Sequence, residues 1–363
     1  MDYPDKMTPV ERATAKAKGE PIDRIACNPN IGNGMARIAG YKISQFNTDP
    51  EALADAIIKT YRRFGSDGAR VFTDLFLISE AMGAKINMPY DNTADLEEPA
   101  INDMSEFDKL KVVNPYTDGR IPVHLRALEI VRDEIASEVG VTASVVGPFT
   151  NAFFLIGVEK MTKMLLKDPE SVHKLCEISL QSCIALTDAV LEKGTGVTVS
   201  EPLSSCTVVS PKHFREFSAP YLKRLIDHIK ARTGKLVIHI CGKTDPIWED
   251  LVDMGVDVLS IDDIADLENC AETVGDRMVI AGNVDPSGVL YAGSREDVRK
   301  ATLKCIKQGI KAKKGYMIMS GCSLPVEVPV ENIDAMMDAA REAGWPITGE
   351  KLDYLLSIDK YKD

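Results

Sequence analysis

A histidine and a cysteine stand two residues apart in the run Leu236-Val237-Ile238-His239-Ile240-Cys241-Gly242. The apolar residues ahead of them predict a strand, and on an extended chain residues i and i+2 point to the same side, about 7 Å apart along the strand. Two more apolar runs stop at side chains of related chemistry. Leu259-Ser260-Ile261 ends at Asp262-Asp263, and Met319-Ser320-Gly321 ends at Cys322. Imidazole and thiolate are the donors Zn²⁺ prefers, and a catalytic zinc site leaves one position open or weakly held. One His and two thiolates neutralise the ion and make it electron-rich. Such a metal is a poor source of hydroxide but a good holder of a substrate thiolate, since it lowers the thiol pKa while the sulfur stays nucleophilic. Asp262 would be the exchangeable fourth ligand. The plainer reading is a buried histidine on a backbone carbonyl and two core thiols. Delivery of the second cysteine by an independent strand favours the metal.

For three strands to bring these side chains together, their C-terminal ends must share one rim. Eight short apolar or β-branched runs are present, at residues 24–27, 69–73, 143–147, 196–200, 235–240, 257–261, 278–282 and 316–320. The later runs alternate with helical patterns at 245–254, 264–273, 294–312 and 331–342, the signature of βα units and a parallel sheet. Helix starts are marked at Asp49-Pro50, Asp168-Pro169 and Ser210-Pro211, each a capping oxygen followed by proline. Eight such units predict an α/β fold of one domain, a (β/α)₈ TIM barrel whose active site lies where the strands end. The stretch from about 84 to 125, rich in Asp, Asn and Pro, is expected to be a lid insertion over the barrel mouth.

Composition narrows the function classes. The 363 residues carry 43 Lys+Arg against 55 Asp+Glu, a net charge of −12 with no basic run, which argues against nucleic acid. The most apolar stretch, Val141 to Val158, is broken by Thr142, Ser144, Gly147, Pro148, Thr150 and Asn151, so no membrane span is expected. Eight dispersed cysteines and no export signal point to a cytoplasmic, reduced protein. Cys27, Cys176, Cys183, Cys206, Cys270 and Cys305 read as bystanders, and His124, His173, His213 and His228 as exposed. Gly32-Asn33-Gly34 is no dinucleotide fingerprint, because the third glycine would fall at Arg37.

Several motifs together resemble the uroporphyrinogen decarboxylase superfamily: Val237 to Lys243, Asp257 to Asp263, Ala281-Gly282-Asn283-Val284-Asp285-Pro286 and Ser320-Gly321-Cys322-Ser323-Leu324-Pro325. The likeness extends to Glu80-Ala81-Met82-Gly83, Arg120-Ile121-Pro122-Val123, Gly147-Pro148-Phe149-Thr150 and Glu201-Pro202-Leu203-Ser204-Ser205. Within that superfamily the chain looks like the corrinoid-dependent methyltransferase branch. The resemblance implies a (β/α)₈ barrel with zinc on His239, Cys241 and Cys322, and a displaceable carboxylate ligand at Asp262, one methylene shorter than the Glu usual there. Glu201 is a second candidate for that role or for orienting substrate. The implied partners are a small thiol or methylated substrate and a methylcobalamin carried by a separate corrinoid protein, because no Asp-x-His-x-x-Gly motif for holding cobalamin is present.

The alternatives are uroporphyrinogen decarboxylase itself and a barrel with a structural zinc. Asp74, in Val71-Phe72-Thr73-Asp74-Leu75, matches the decarboxylase's catalytic aspartate, though it also reads as a plain helix-start carboxylate. Against the decarboxylase, the stretch Ala26-Cys27-Asn28-Pro29-Asn30-Ile31-Gly32 lacks the arginines that would bind a porphyrinogen with eight carboxylates. Cys322 also replaces its histidine after the last strand.

Overall fold

The structure, a computed structural model, describes residues 4–361. Seven parallel strands curl around a central cavity: β1 (Ala69–Val71), β4 (Val141–Val146), β5 (Gly196–Ser200), β6 (Val237–Ile240), β7 (Val258–Ile261), β8 (Val279–Val284) and β9 (Tyr316–Ser320), hydrogen-bonded in that order. A separate antiparallel hairpin joins β2 (Lys85–Asn87) to β3 (Asp95–Glu98). The expected strand at 24–27 is reduced to a single parallel bridge, Cys27 to Ile318. That bridge still closes the curl. Ile318 N donates to Ala26 O and Asn28 N to Ile318 O, each at 3.0 Å, while Asp67 N, just ahead of β1, donates to Cys27 O at 2.9 Å.

Two features keep the eighth strand short. Pro29 lacks the N–H that would continue the ladder and restricts Asn28 before it. On the other side, Arg24 is drawn into a buried charge cluster, pairing with Asp67 at 2.5 Å, and the Asp67 carboxylate also accepts Cys27 N at 2.8 Å. The fold is thus an α/β TIM-barrel type whose eighth staves are held partly by side chains.

The helix starts follow their caps. Asp49 accepts from the N–H groups of Glu51 and Ala52, Asp168 from Ser171, and Ser210 from His213. Residues 84–125, expected to lack periodic structure, contain the β2–β3 hairpin, a 3₁₀ turn at Met104–Lys109 and the first turn of the helix Ile121–Ile135. That helix buries Ile121, Leu125, Leu128, Val131 and Ile135, a spacing that its short polar flank obscures in the sequence. Among the described residues no helix is long and apolar enough to cross a membrane.

Candidate metal centre

Alternation along the strands decides which side chains reach the lumen. Thr142, Thr198, His239, Ser260, Met317 and Met319 line a cavity of about 500 Å³ inside the barrel. His239 of β6 lies in register with Ser260 of β7, and the two side chains meet, Nδ1 to Oγ, at 3.1 Å. A Nδ1–H donated to Ser260 leaves Nε2 free as a metal donor, the tautomer control common to metal-bound histidines.

The other nitrogen faces sulfur. His239 Nε2 is 3.3 Å from Cys241 Sγ, and Cys241 Sγ is 3.7 Å from Cys322 Sγ. All three donor atoms lie within 4.8 Å of one another, the one such group of His, Cys, Asp or Glu among the described residues. A tetrahedron with Zn–S of about 2.3 Å and Zn–N of about 2.0 Å has an S···S edge of about 3.8 Å and an N···S edge of about 3.5 Å. The donor set therefore fits zinc in spacing as well as in softness. The thiols share their protons unequally. A hydrogen bond from Cys241, with His239 alongside, pulls the Cys322 thiol down, whereas the same partnership and burial push Cys241 up. One thiolate is thus favoured even before a cation adds its own field.

Close backbone approach sets up this geometry. A Cβ on Gly321 would fall 2.3 Å from Asp263 N, so the turn carrying Cys322 rests directly on the turn after β7. On the β6 side, Gly242 has φ +67°. Its N–H donates to Asp262 Oδ2 at 2.7 Å, which braces the turn just past Cys241.

Asp262, expected as fourth ligand, is therefore near the thiols but outside the three-donor group. Its carboxylate holds the Gly242 N–H and, at 3.4 Å, the Ile264 N–H. Burial and the adjacent Asp262 raise the neighbouring Asp263 to about 7. Glu201 is not brought to the centre. Ser200 on β5 bonds Ser144 of β4, and the next residue turns to the helix side. There Glu201 is fully buried and accepts from the N–H groups of Thr150 (2.7 Å) and Phe149 (3.3 Å) at the start of the helix Pro148–Ile156. Burial raises its carboxyl to about 7. It caps a helix, the role open to a carboxylate at a helix N-terminus.

Asp74 lies past the end of β1. It accepts from Phe76 N at 2.9 Å, as a helix-start carboxylate does, and it is also paired with buried Arg120 at 2.8 Å. Arg120 in turn holds Glu80 at 2.7 Å. Although burial opposes it, Arg120 keeps Asp74 below the ordinary carboxylate range. His124, expected to be exposed, is buried against this cluster, its Nε2 3.0 Å from Thr73 Oγ1. Desolvation lowers it to about 4. Arginine and its carboxylates are 40 or more residues apart in sequence, too far for local pattern to pair them.

Comparison with known proteins adds the lineage. The family model for uroporphyrinogen decarboxylase (URO-D) matches residues 8–343. The chain belongs to that family. Within it, the chain is 28% identical over 340 residues to a methylcobamide:CoM methyltransferase MtaA of Methanosarcina barkeri, covering 91% of this chain and 97% of that protein. A methylated-thiol–coenzyme M methyltransferase of Methanosarcina mazei is 26% identical, with 97% and 94% covered. A uroporphyrinogen decarboxylase of Carboxydothermus hydrogenoformans is 27% identical over a shorter span, 83% and 86%. Among solved structures, a methyltransferase from Methanosarcina mazei superposes with a TM-score of 0.83 at 25% identity, covering 93% of this chain and 99% of that one. In this URO-D family member, the structure brings together His239, Cys241 and Cys322, the three side chains expected from the sequence to share a metal. Sequence reasoning missed Ser260, whose place two residues before Asp262 on β7 was the available signal.

Proposed function

We propose that the chain is a zinc methyltransferase that moves a methyl group between the cobalamin of a separate corrinoid protein and a small thiol or methylated substrate. The observation that carries this reading is the His239, Cys241 and Cys322 group, spaced as a tetrahedral zinc site at the C-terminal rim of the barrel. It is supported by full-length likeness to methylcobamide:CoM methyltransferases. Zn²⁺ held there would lower the pKa of an acceptor thiol while leaving its sulfur nucleophilic.

The chain's own residues do the rest. Cys241 and Cys322 supply negative charge that keeps the site electron-rich, and His239, oriented by Ser260, supplies a neutral third donor. The cavity beneath them, about 500 Å³, has room for a small molecule, which would bring the reacting sulfur in line with a methyl group presented at the mouth. In the thiol-methylating direction a C–S bond forms, the Co–C bond breaks with its electron pair staying on cobalt, and the thiol proton passes to solvent. Asp262 braces the Cys241 turn by accepting the Gly242 N–H on Oδ2, and its other oxygen would serve as the displaceable fourth ligand.

Decarboxylation of a porphyrinogen is disfavoured by the lumen itself. Its lining offers only Arg70 and Lys235 as full-time cations for a substrate with eight carboxylates. The deciding assay is demethylation of methylcobalamin by the zinc-loaded protein with a panel of thiols, followed by absorbance. Thiol-dependent demethylation abolished in His239→Ala supports the reading. No turnover with any thiol or methylated donor, together with carbon dioxide release from uroporphyrinogen, overturns it.

A further inference from the structure

Below the metal centre the barrel wall is open along one seam. Residues 28–32, which follow the single bridge at Cys27, are tied to the β9 side, Asn30 N to Ser320 Oγ at 3.0 Å and Leu324 N to Asn30 O at 2.8 Å. Past the bond from Asp67 N to Cys27 O, no backbone hydrogen bond joins them to β1 among the described residues. One side-chain bond spans the gap, from Arg70 Nη2 to Asn30 Oδ1 at 2.6 Å. The cavity of about 500 Å³ passes through this gap. It runs from His239 and Ser260 in the lumen, past Phe72 next to β1, to Met35, Ile57 and Thr60 on the helices Gly34–Ala39 and Pro50–Phe64.

Thr60 marks the far end. It is 3% exposed, and among the described residues its Oγ1 is the one buried side-chain oxygen without a hydrogen-bond partner that lines the cavity. Other helical threonines place the hydroxyl on the carbonyl four residues back, as Thr48 does on Ser44, Thr162 on Val158 and Thr302 on Val298. Thr60 does not. A buried hydroxyl without a partner costs its desolvation, and native folds keep few such groups. Around it the cavity wall is apolar, formed by Met35 and Ile57, and the carboxylate bordering this end, Asp67, is already paired with Arg12 and Arg24. The volume lies within the range of ligand pockets, about 300–1,000 Å³, more than a two- or three-carbon thiol fills.

We propose that this seam is the subsite for the non-reacting end of the substrate: an uncharged, mainly apolar chain or ring ending in a hydroxyl or amide that shares a hydrogen bond with Thr60 Oγ1, while the reacting atom stays at His239, Cys241 and Cys322. This rests on the function proposed above and narrows its substrate class to longer molecules with a neutral polar tip. An ionic tip would lie between the helices with no counter-ion free to meet it, which disfavours it there.

Titration calorimetry on metal-free and zinc-loaded protein tests this with probes that lack a thiol, hexan-1-ol and hexanamide. Thr60→Val keeps the side-chain shape and removes the hydroxyl, and it should lower the affinity for both probes at least fivefold. Thr60→Ser should hold them within twofold of the parent. With thiols, KM for 6-mercaptohexanoate should exceed that for 6-mercaptohexan-1-ol at least tenfold. The ratio of kcat/KM for 6-mercaptohexan-1-ol to that for hexane-1-thiol should fall at least fivefold in Thr60→Val. Because the hydroxyl has no partner in the free protein, the melting temperature of Thr60→Val should be unchanged or higher. Unchanged hexan-1-ol affinity in Thr60→Val, equal KM for the charged and uncharged six-carbon thiols, or a lowered melting temperature with hexan-1-ol affinity retained would each overturn the proposal. Thr60-dependent binding of hexan-1-ol by a protein that moves no methyl group would sustain it while removing the methyltransferase reading, and methyl transfer to 2-mercaptoethanol without Thr60-dependent binding would do the reverse.

Discussion

Ser260 meets Nδ1 of His239 while Nε2 faces the thiol of Cys241, and the proposed metal centre depends on such single contacts. With three protein donors, losing one should cost most of the affinity. Cys322→Ala is expected to hold less than about half an equivalent of zinc by atomic absorption, with a circular dichroism spectrum like the parent's. Full zinc retention in that variant would remove Cys322 from the ligand set. His124 carries a different prediction. Its folded-state pKa of about 4 lies below the ordinary 6.5, with desolvation the largest cause, Arg120 adding to it and Asp74 opposing it. Between those two values the unfolded chain binds more protons, so stability is present above about pH 6.5 and is lost as pH falls toward 4. Such a shift corresponds to about 3 kcal/mol. His124→Gln, which can still bond Thr73 Oγ1, should flatten the pH dependence of urea unfolding across that window. A parallel curve for parent and variant would refute the assignment.

At the level of elements, the C-terminal strand ends were legible because a parallel barrel has a simple rule: chemistry follows where apolar runs stop. The runs containing His239, Cys241 and Asp262 obey it, and Cys322 follows two residues after β9. Alternation, applied to β5, would also have told that Glu201 and Ser200 face opposite ways, so the carboxylate could not share the lumen. Local pattern could not show what Glu201 does instead, since its partners on the helix Pro148–Ile156 are 51 and 52 residues away. The first strand was overread for a comparable reason. Its apolar residues are real, but Pro29 and the pairing of Arg24 with Asp67 replace a ladder by side-chain bonds. The cap and strand contact predicts its own sensitivity. A Cβ at Gly147 would stand 1.9 Å from Glu201 Oε2. Gly147→Ala should destabilise the fold by about 1–3 kcal/mol in denaturant titration, and an unchanged midpoint would show that the cap is not as tight as described.

Across the whole molecule, the core and the metal centre are separable. The barrel closes through backbone pairing, in which His239 takes part only by its main chain, and through a buried charge cluster at Arg12, Arg24 and Asp67, so neither uses the donor side chains of the proposed metal centre. Chelation should therefore abolish methyl transfer and lower the melting temperature only by the binding free energy lost, leaving a cooperative transition in the calorimeter. Collapse of that transition on chelation would make the zinc structural. The most direct test of the central claim is zinc-edge X-ray absorption of the loaded protein with and without 3-mercaptopropionate. The account predicts two sulfur neighbours and light-atom neighbours at rest, rising to three sulfurs when the thiol is added. Four sulfurs at rest, or a sulfur count unmoved by a thiol that the enzyme methylates, would contradict it.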